Sequence, residues 1–192
     1  MGHKITFLGL ALAGLTLVPT HPAIGAEPFD NIEILGQLLS GTPSQFLVYQ
    51  LAQRRITSKP DAPLISVLRQ IPSSDALVAA LRSAKTTKAK GRARPGAEEG
   101  GVFEHLVRAV EPALQARWPE VEKESRAALN LLPHRPILHE FLGAVLWQQR
   151  KGDEALAEFR ESARIDPQRT RPHFLQGFVL SGMGNLNGAA EE

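Results

Sequence analysis

Pro136–Arg169, PILHEFLGAVLWQQRKGDEALAEFRESARIDPQR, holds the pattern that decides the fold. The spacing predicts a helix over about 136–150, a turn at Lys151-Gly152, and a second helix over about 153–166. Asp153 is placed to cap the second helix and Pro167 to terminate it. The unit is 34 residues long, and its markers recur at that interval: Gly143 with Gly177, Ala155 with Ala189, Pro133 with Pro167. A period of this length marks stacked helical hairpins, each burying its apolar face only against its neighbours. Gly143 and Ala155 are small where the two helices approach, and Leu156 and Phe159 fill the space between them.

His139-x2-Leu142-Gly143-x2-Leu146, then Ala155-x3-Phe159 and Pro167, resembles the signature of tetratricopeptide repeats. The resemblance implies an all-α fold, a helical solenoid, with Leu142, Gly143, Ala155, Phe159, Pro167, Gly177 and Ala189 as repeat-packing positions. It also implies a concave surface lined by the first helix of each unit, which holds a peptide or partner protein. On that register the groove residues are Ile137, Glu140, Ala144, Trp147 and Gln148 in the central unit. Arg171, Phe174, Phe178 and Ser181 follow in the next unit. Trp147 could instead bury against the neighbouring second helix. Members that clamp a terminal carboxylate use lysine and asparagine where this chain has Glu140 and Ala144, so no such clamp is expected.

The flanking units are less regular. Residues 102–135 form a degenerate repeat: Ala109, Ala128 and Pro133 keep register, Val121 stands where alanine is usual, Arg108 replaces leucine, and Pro112 is expected to interrupt the first helix. Its second helix is predicted from Pro119, after Trp118, to Leu132. Residues 170–192 form an incomplete repeat, with Gln176 at a leucine position. Glu192 falls inside its second helix, so the expectation is a longer natural chain or a partner covering this end.

Upstream, residues 30–84 read as a small helical bundle of four short helices. Asp30 or Asn31 caps the first, which Gly41 ends. Thr42-Pro43-Ser44-Gln45 has the form of a capping box. Pro63 opens the third helix, Pro72 stops it, and Ser73 or Ser74 caps the fourth. Residues 85–101 (KTTKAKGRARPGAEEGG) read as a flexible Gly-Pro linker. The basic run through Arg82, Lys85, Lys88, Lys90, Arg92 and Arg94 could touch an anionic surface. No aromatic interleaves to stack on bases, so a solvated spacer is favoured and no nucleic acid is expected.

The first 26 residues read as a secretory leader: Lys4, then the apolar run Ile5–Val18, then a small-residue site ending at Ala26. The run is shorter than the roughly 20 residues a membrane span needs. Export, to a periplasmic or extracellular space, is the expectation. The chain contains no cysteine, which excludes disulfides and thiolate chemistry, and its formal charge of +2 does not by itself imply a nucleic-acid partner.

His105, His139 and His173 lie 34 apart. Equivalent positions in stacked helices are about 10 Å apart, too far for one metal, so packing is expected. Gly182-Met183-Gly184-Asn185-Leu186-Asn187-Gly188 is one residue off a dinucleotide fingerprint, follows no strand and falls at a turn. Asp153, Glu154, Glu158 and Glu161 are expected to pair with Arg160 and Arg164. Nothing nominates a nucleophile with its base, a metal or a cofactor. A non-catalytic, exported interaction scaffold is the first expectation. The alternative is the non-catalytic N-terminal part of a larger exported enzyme or envelope assembly factor.

Overall fold

A computed structural model describes residues 29–87 and 96–184. Residues 1–28, which include the stretch expected to be a leader, and residues 88–95 and 185–192, which include Lys88, Lys90, Arg92, Arg94, Ala189 and Glu192, lie outside the described residues. The fold is all-α: nine helices occur among the described residues. The chain divides into two units, Met1–Arg94 and Pro95–Glu192. No helix among the described residues is long and apolar enough to cross a membrane.

In the first unit, α1 (Asn31–Leu39) begins where Asp30 accepts a hydrogen bond from the Glu33 amide at 2.8 Å. It ends in a Schellman motif: the Gly41 amide donates to Leu38 and the Thr42 amide to Gln37, with Gly41 at φ 86°. Helix α1 is buried almost all round, including Glu33 and Gln37, which hydrogen-bond each other at 2.8 Å. Helix α2 (Ser44–Gln53) packs on α4 (Asp75–Ser83), as does α3 (Ala62–Leu68). Asp61 caps α3 through the Leu64 amide, and Pro63 sits where no amide is needed.

The expected capping box does not form. Helix α2 starts at Ser44, one residue too late for Thr42 to be its cap, and the Ser44 hydroxyl donates instead to the Ser73 carbonyl. Nor is this unit helical throughout. Phe29, Ile56 and Thr86 form parallel bridges: the Phe29 amide donates to Arg55 and the Ile56 amide to Lys85, while Phe29 and Ile56 accept in turn. Lys85–Thr87, expected in the linker, is therefore tied into this unit. Phe29 and Ile56 are fully buried beside Leu35, Leu47, Leu64, Leu68, Leu77 and Leu81, which supply the core.

In the second unit, packing follows chain order: α5 (Ala97–Leu114), α6 (Trp118–Leu131), α7 (Pro136–Gln148), α8 (Gly152–Ile165), α9 (Thr170–Gly182). Two corrections fall in α5. It begins inside the expected linker, at Ala97, and it runs through Pro112 to Leu114. Pro112 lies in the last turn, where only one intrahelical bond is lost. Helix α8 starts at Gly152, so Asp153 is inside it and makes no cap.

Gly143 is at the closest approach of α7 and α8. A Cβ there would stand 2.6 Å from Cε1 of Phe159, whose ring is fully buried. In the preceding hairpin the equivalent positions, 34 residues earlier, are Ala109 and Ser125, both fully buried. There a slightly larger residue on the first helix accompanies a much smaller one on the second, so the glycine–phenylalanine pair belongs to the α7–α8 hairpin alone of these two.

The hairpin turns repeat too. Ala116, Arg150 and Gly184 are spaced by 34 and all have positive φ, at 55°, 65° and 80°. After α5, the Ala116 amide donates to Ala113 and the Arg117 amide to Pro112; after α7, Arg150 donates to Trp147 and Lys151 to Leu146. Both are Schellman turns, which favour glycine, yet two of the three positions carry a side chain. Arg150→Gly is expected to raise stability by roughly 0.5–1 kcal/mol, because a left-handed residue with a Cβ is strained. The check is a higher urea midpoint at unchanged slope. A lower midpoint would mean that the arginine side chain matters more than the backbone there.

Candidate partner-binding surface

Helix α7 is apolar nearly all round, and it occupies the interior of its unit. That placement corrects the expected groove. Ile137 and Glu140 are fully buried and Ala144 nearly so, so these three face packed neighbours and not an open surface. The cause is clearest at Glu140. Its Oε1 accepts from Arg169 Nε at 2.8 Å and from the Ser162 hydroxyl at 3.3 Å, and its Oε2 accepts from Arg171 Nη1. The carboxylate of α7 is thus closed over by α8 and by the two arginines at the start of α9. Arg171, expected as a groove cation, belongs to this buried pair.

Trp147 and Phe178 meet edge to face with centroids 5.9 Å apart. Both are partly buried against the cluster of Leu142, Leu146, Phe159, Leu175, Val179 and Leu180. Gly182 lets the indole lie close, since a Cβ there would be 2.7 Å from Trp147 Cη2. Trp147 therefore joins α7 to α9 and is half-buried. Phe174 is different: it is 45% exposed. Arg171, Phe174 and Phe178 share one face of α9 by their i, i+3 and i+7 spacing. Gln148 is half-buried and Ser181 exposed. Of the packing positions, Leu142, Ala155 and Phe159 are buried, Gly177 is half-buried and Pro167 is exposed after α8. Gln176, at the leucine position, is buried and donates to the Pro172 carbonyl at 3.4 Å.

The histidine series has a function in each hairpin that packing alone does not describe. His105 Nδ1 lies 2.8 Å from Glu124 Oε2, and His139 Nδ1 lies 2.7 Å from Glu158 Oε2. Each pair joins first helix to second across 19 residues. His139 Nε2 also lies 2.9 Å from the Pro133 carbonyl, so both ring nitrogens face acceptors and the doubly protonated ring suits the site. Burial disfavours that charge. The hydrogen bonds to Glu158 and Pro133, with the charges of Glu158 and Glu161, outweigh it and raise His139 above the ordinary histidine value. Among the described residues no three His, Cys, Asp or Glu side chains are grouped to hold a metal ion.

A raised folded value fixes the sign of the pH effect. The stabilisation from His139 is complete below the unfolded value of about 6.5 and is lost as pH rises through the folded one. Urea midpoints are expected to fall over that interval, and His139→Gln to flatten the fall. Equal slopes in both proteins would remove His139 from the account.

Glu122 ties α6 to the α7–α8 turn. It accepts from Gln149 at 2.7 Å, Lys151 at 2.8 Å and Arg126 Nε at 2.8 Å. Burial opposes its charge, but Lys151, Arg126 and Gln149 together hold the carboxyl down to about 2. Of the carboxylates expected to pair along α8, Glu161 meets Arg164 at 2.6 Å, while Glu158 turns to His139 and Glu154 to Arg126 at 3.6 Å.

No protein-family model, curated protein or solved structure matches this chain.

Proposed function

We propose that the 95–192 unit is a protein-interaction module of the tetratricopeptide type, working after export and performing no chemistry of its own. The observation that carries this is the exposed Phe174, one turn before Phe178 on α9, whose ring meets the half-buried Trp147. An exposed aromatic beside a partly open aromatic pair, on a helix whose other face is buried, is the composition of a binding hot spot. The partner surface is thus centred on α9, and not on the α7 residues that the repeat register assigns to a groove. A peptide or partner segment with its own apolar anchor would fit it.

Phe174→Ala separates binding from folding. Stability is expected to change by no more than about 0.5 kcal/mol, as at ordinary surface positions. Affinity for proteins captured by the native chain from an envelope fraction is expected to fall by about 30-fold, the worth of roughly 2 kcal/mol at a hot spot. Retained capture by a folded Phe174→Ala protein would sink the proposal. Trp147→Ala, by contrast, is expected to lower stability as well, because the indole packs between α7 and α9.

A further inference from the structure

The first unit holds a cleft of about 610 Å³ along α3 and the end of α4, lined in part by Ile65, Ser66, Arg69, Gln70 and Arg82. Arg69 and Arg82 are both exposed, and among the described residues neither guanidinium has a hydrogen-bond or ion-pair partner. The only carboxylate in the lining, Asp61, is engaged: it accepts from the Leu64 amide at 2.9 Å and from Asn31 Nδ2 at 3.1 Å. The carbonyls closing α4 would repel an anion, but Lys59 Nζ covers two of them, Arg82 O at 2.9 Å and Ala84 O at 2.8 Å. Two of the three protons of that ammonium are thereby used.

The geometry points to a binding site for a phosphoryl group, with Arg69 and Arg82 as its two principal ligands. Two guanidinium forks, the Ser66 hydroxyl and the Gln70 amide offer more donors than the two oxygens of a carboxylate can use. They suit the oxygens of a phosphate ester, which arginine meets in bidentate fashion. The cleft exceeds one phosphate in size, and Ala62 and Ile65 line the remainder, so the phosphoryl group carries an apolar substituent. Such a group is the headgroup of an anionic phospholipid or part of a soluble phosphate ester. The inference is independent of the α9 surface.

The test uses the full chain, with inorganic phosphate as the first probe. Amide resonances of Ser66, Arg69 and Gln70 are expected to shift saturably. Arg69→Gln with Arg82→Gln is expected to weaken binding by about tenfold or more, as loss of charge-assisted hydrogen bonds should. Lys123→Gln with Arg160→Gln removes the same charge from exposed positions in the other unit and should leave binding unchanged. Both replaced arginines are exposed, and circular dichroism checks that the variant stays folded. Vesicles with and without phosphatidylglycerol then distinguish the source. Binding to the anionic vesicles that is lost in the arginine variant assigns a lipid headgroup, and phosphate binding without vesicle binding assigns a soluble ester. Absence of phosphate-induced shifts on α3 and α4, or equal weakening by the control variant, overturns the site.

Discussion

Glu140→Ala is expected to destabilise the second unit by about 3 kcal/mol, the low end of the range for breaking a buried ion pair. The carboxylate has no exposure and accepts from Arg169, Arg171 and Ser162. Removing it leaves two guanidiniums with side chains only 19% and 20% exposed. Partial access to water relieves some of their cost, which is why the low end is chosen. A domain stable by about 5–15 kcal/mol loses a large fraction of its margin by such a change. Glu140→Gln keeps the volume and part of the hydrogen bonding, and should fall between the two. Urea midpoints measure all three proteins. If both variants lie within about 0.5 kcal/mol of the native chain, the triad does not hold α9 in place.

The second large effect is at Gly143, where alanine is expected to cost up to about 2 kcal/mol net. A mid-helix glycine normally gains roughly 1 kcal/mol on becoming alanine. Here the new methyl would stand 2.6 Å from Phe159 Cε1 and 2.9 Å from Cδ1 and Cζ, so overpacking of about 1–3 kcal/mol and rotation of a buried ring oppose the gain. Gly100→Ala in α5 supplies the contrast. Nothing lies within 4 Å of a Cβ there, and the substitution should stabilise. Opposite signs for one chemical change would identify the hairpin contact as the cause. A double-mutant cycle with Phe159→Leu should show the two sites coupled. Stabilisation by Gly143→Ala would mean that α7 and α8 can move apart freely.

The helices of the second unit were legible because the 34-residue spacing and the small residues at Gly143 and Ala155 both report the same hairpin contact. The turn positions were not. Ala116 and Arg150 adopt glycine's conformation without being glycine, and only their alignment with Gly184 in a known structure reveals them. The two histidine–glutamate pairs were half visible. His105 and His139 repeat, as do Glu124 and Glu158, but the hairpin is what brings residues 19 apart together. Glu140 was misplaced on a groove because helical register gives a face without saying what covers it. The cover is Arg169 and Arg171, which lie on the far side of α8 in sequence. In the first unit, the pairing of Phe29, Ile56 and Thr86 rests on isolated bridges and has no period to read. Phe174 and Phe178, by contrast, share a face by spacing alone, and of the residues placed on the surface from sequence these carry the proposal.

The most direct measurement is photo-crosslinking in intact cells, with a benzophenone side chain at Phe174 and, as control, at exposed Lys123 of α6. The account predicts a discrete adduct to another protein from position 174 and none from position 123. Adducts from both positions, or from neither while the chain is folded and present, would contradict a partner surface on α9.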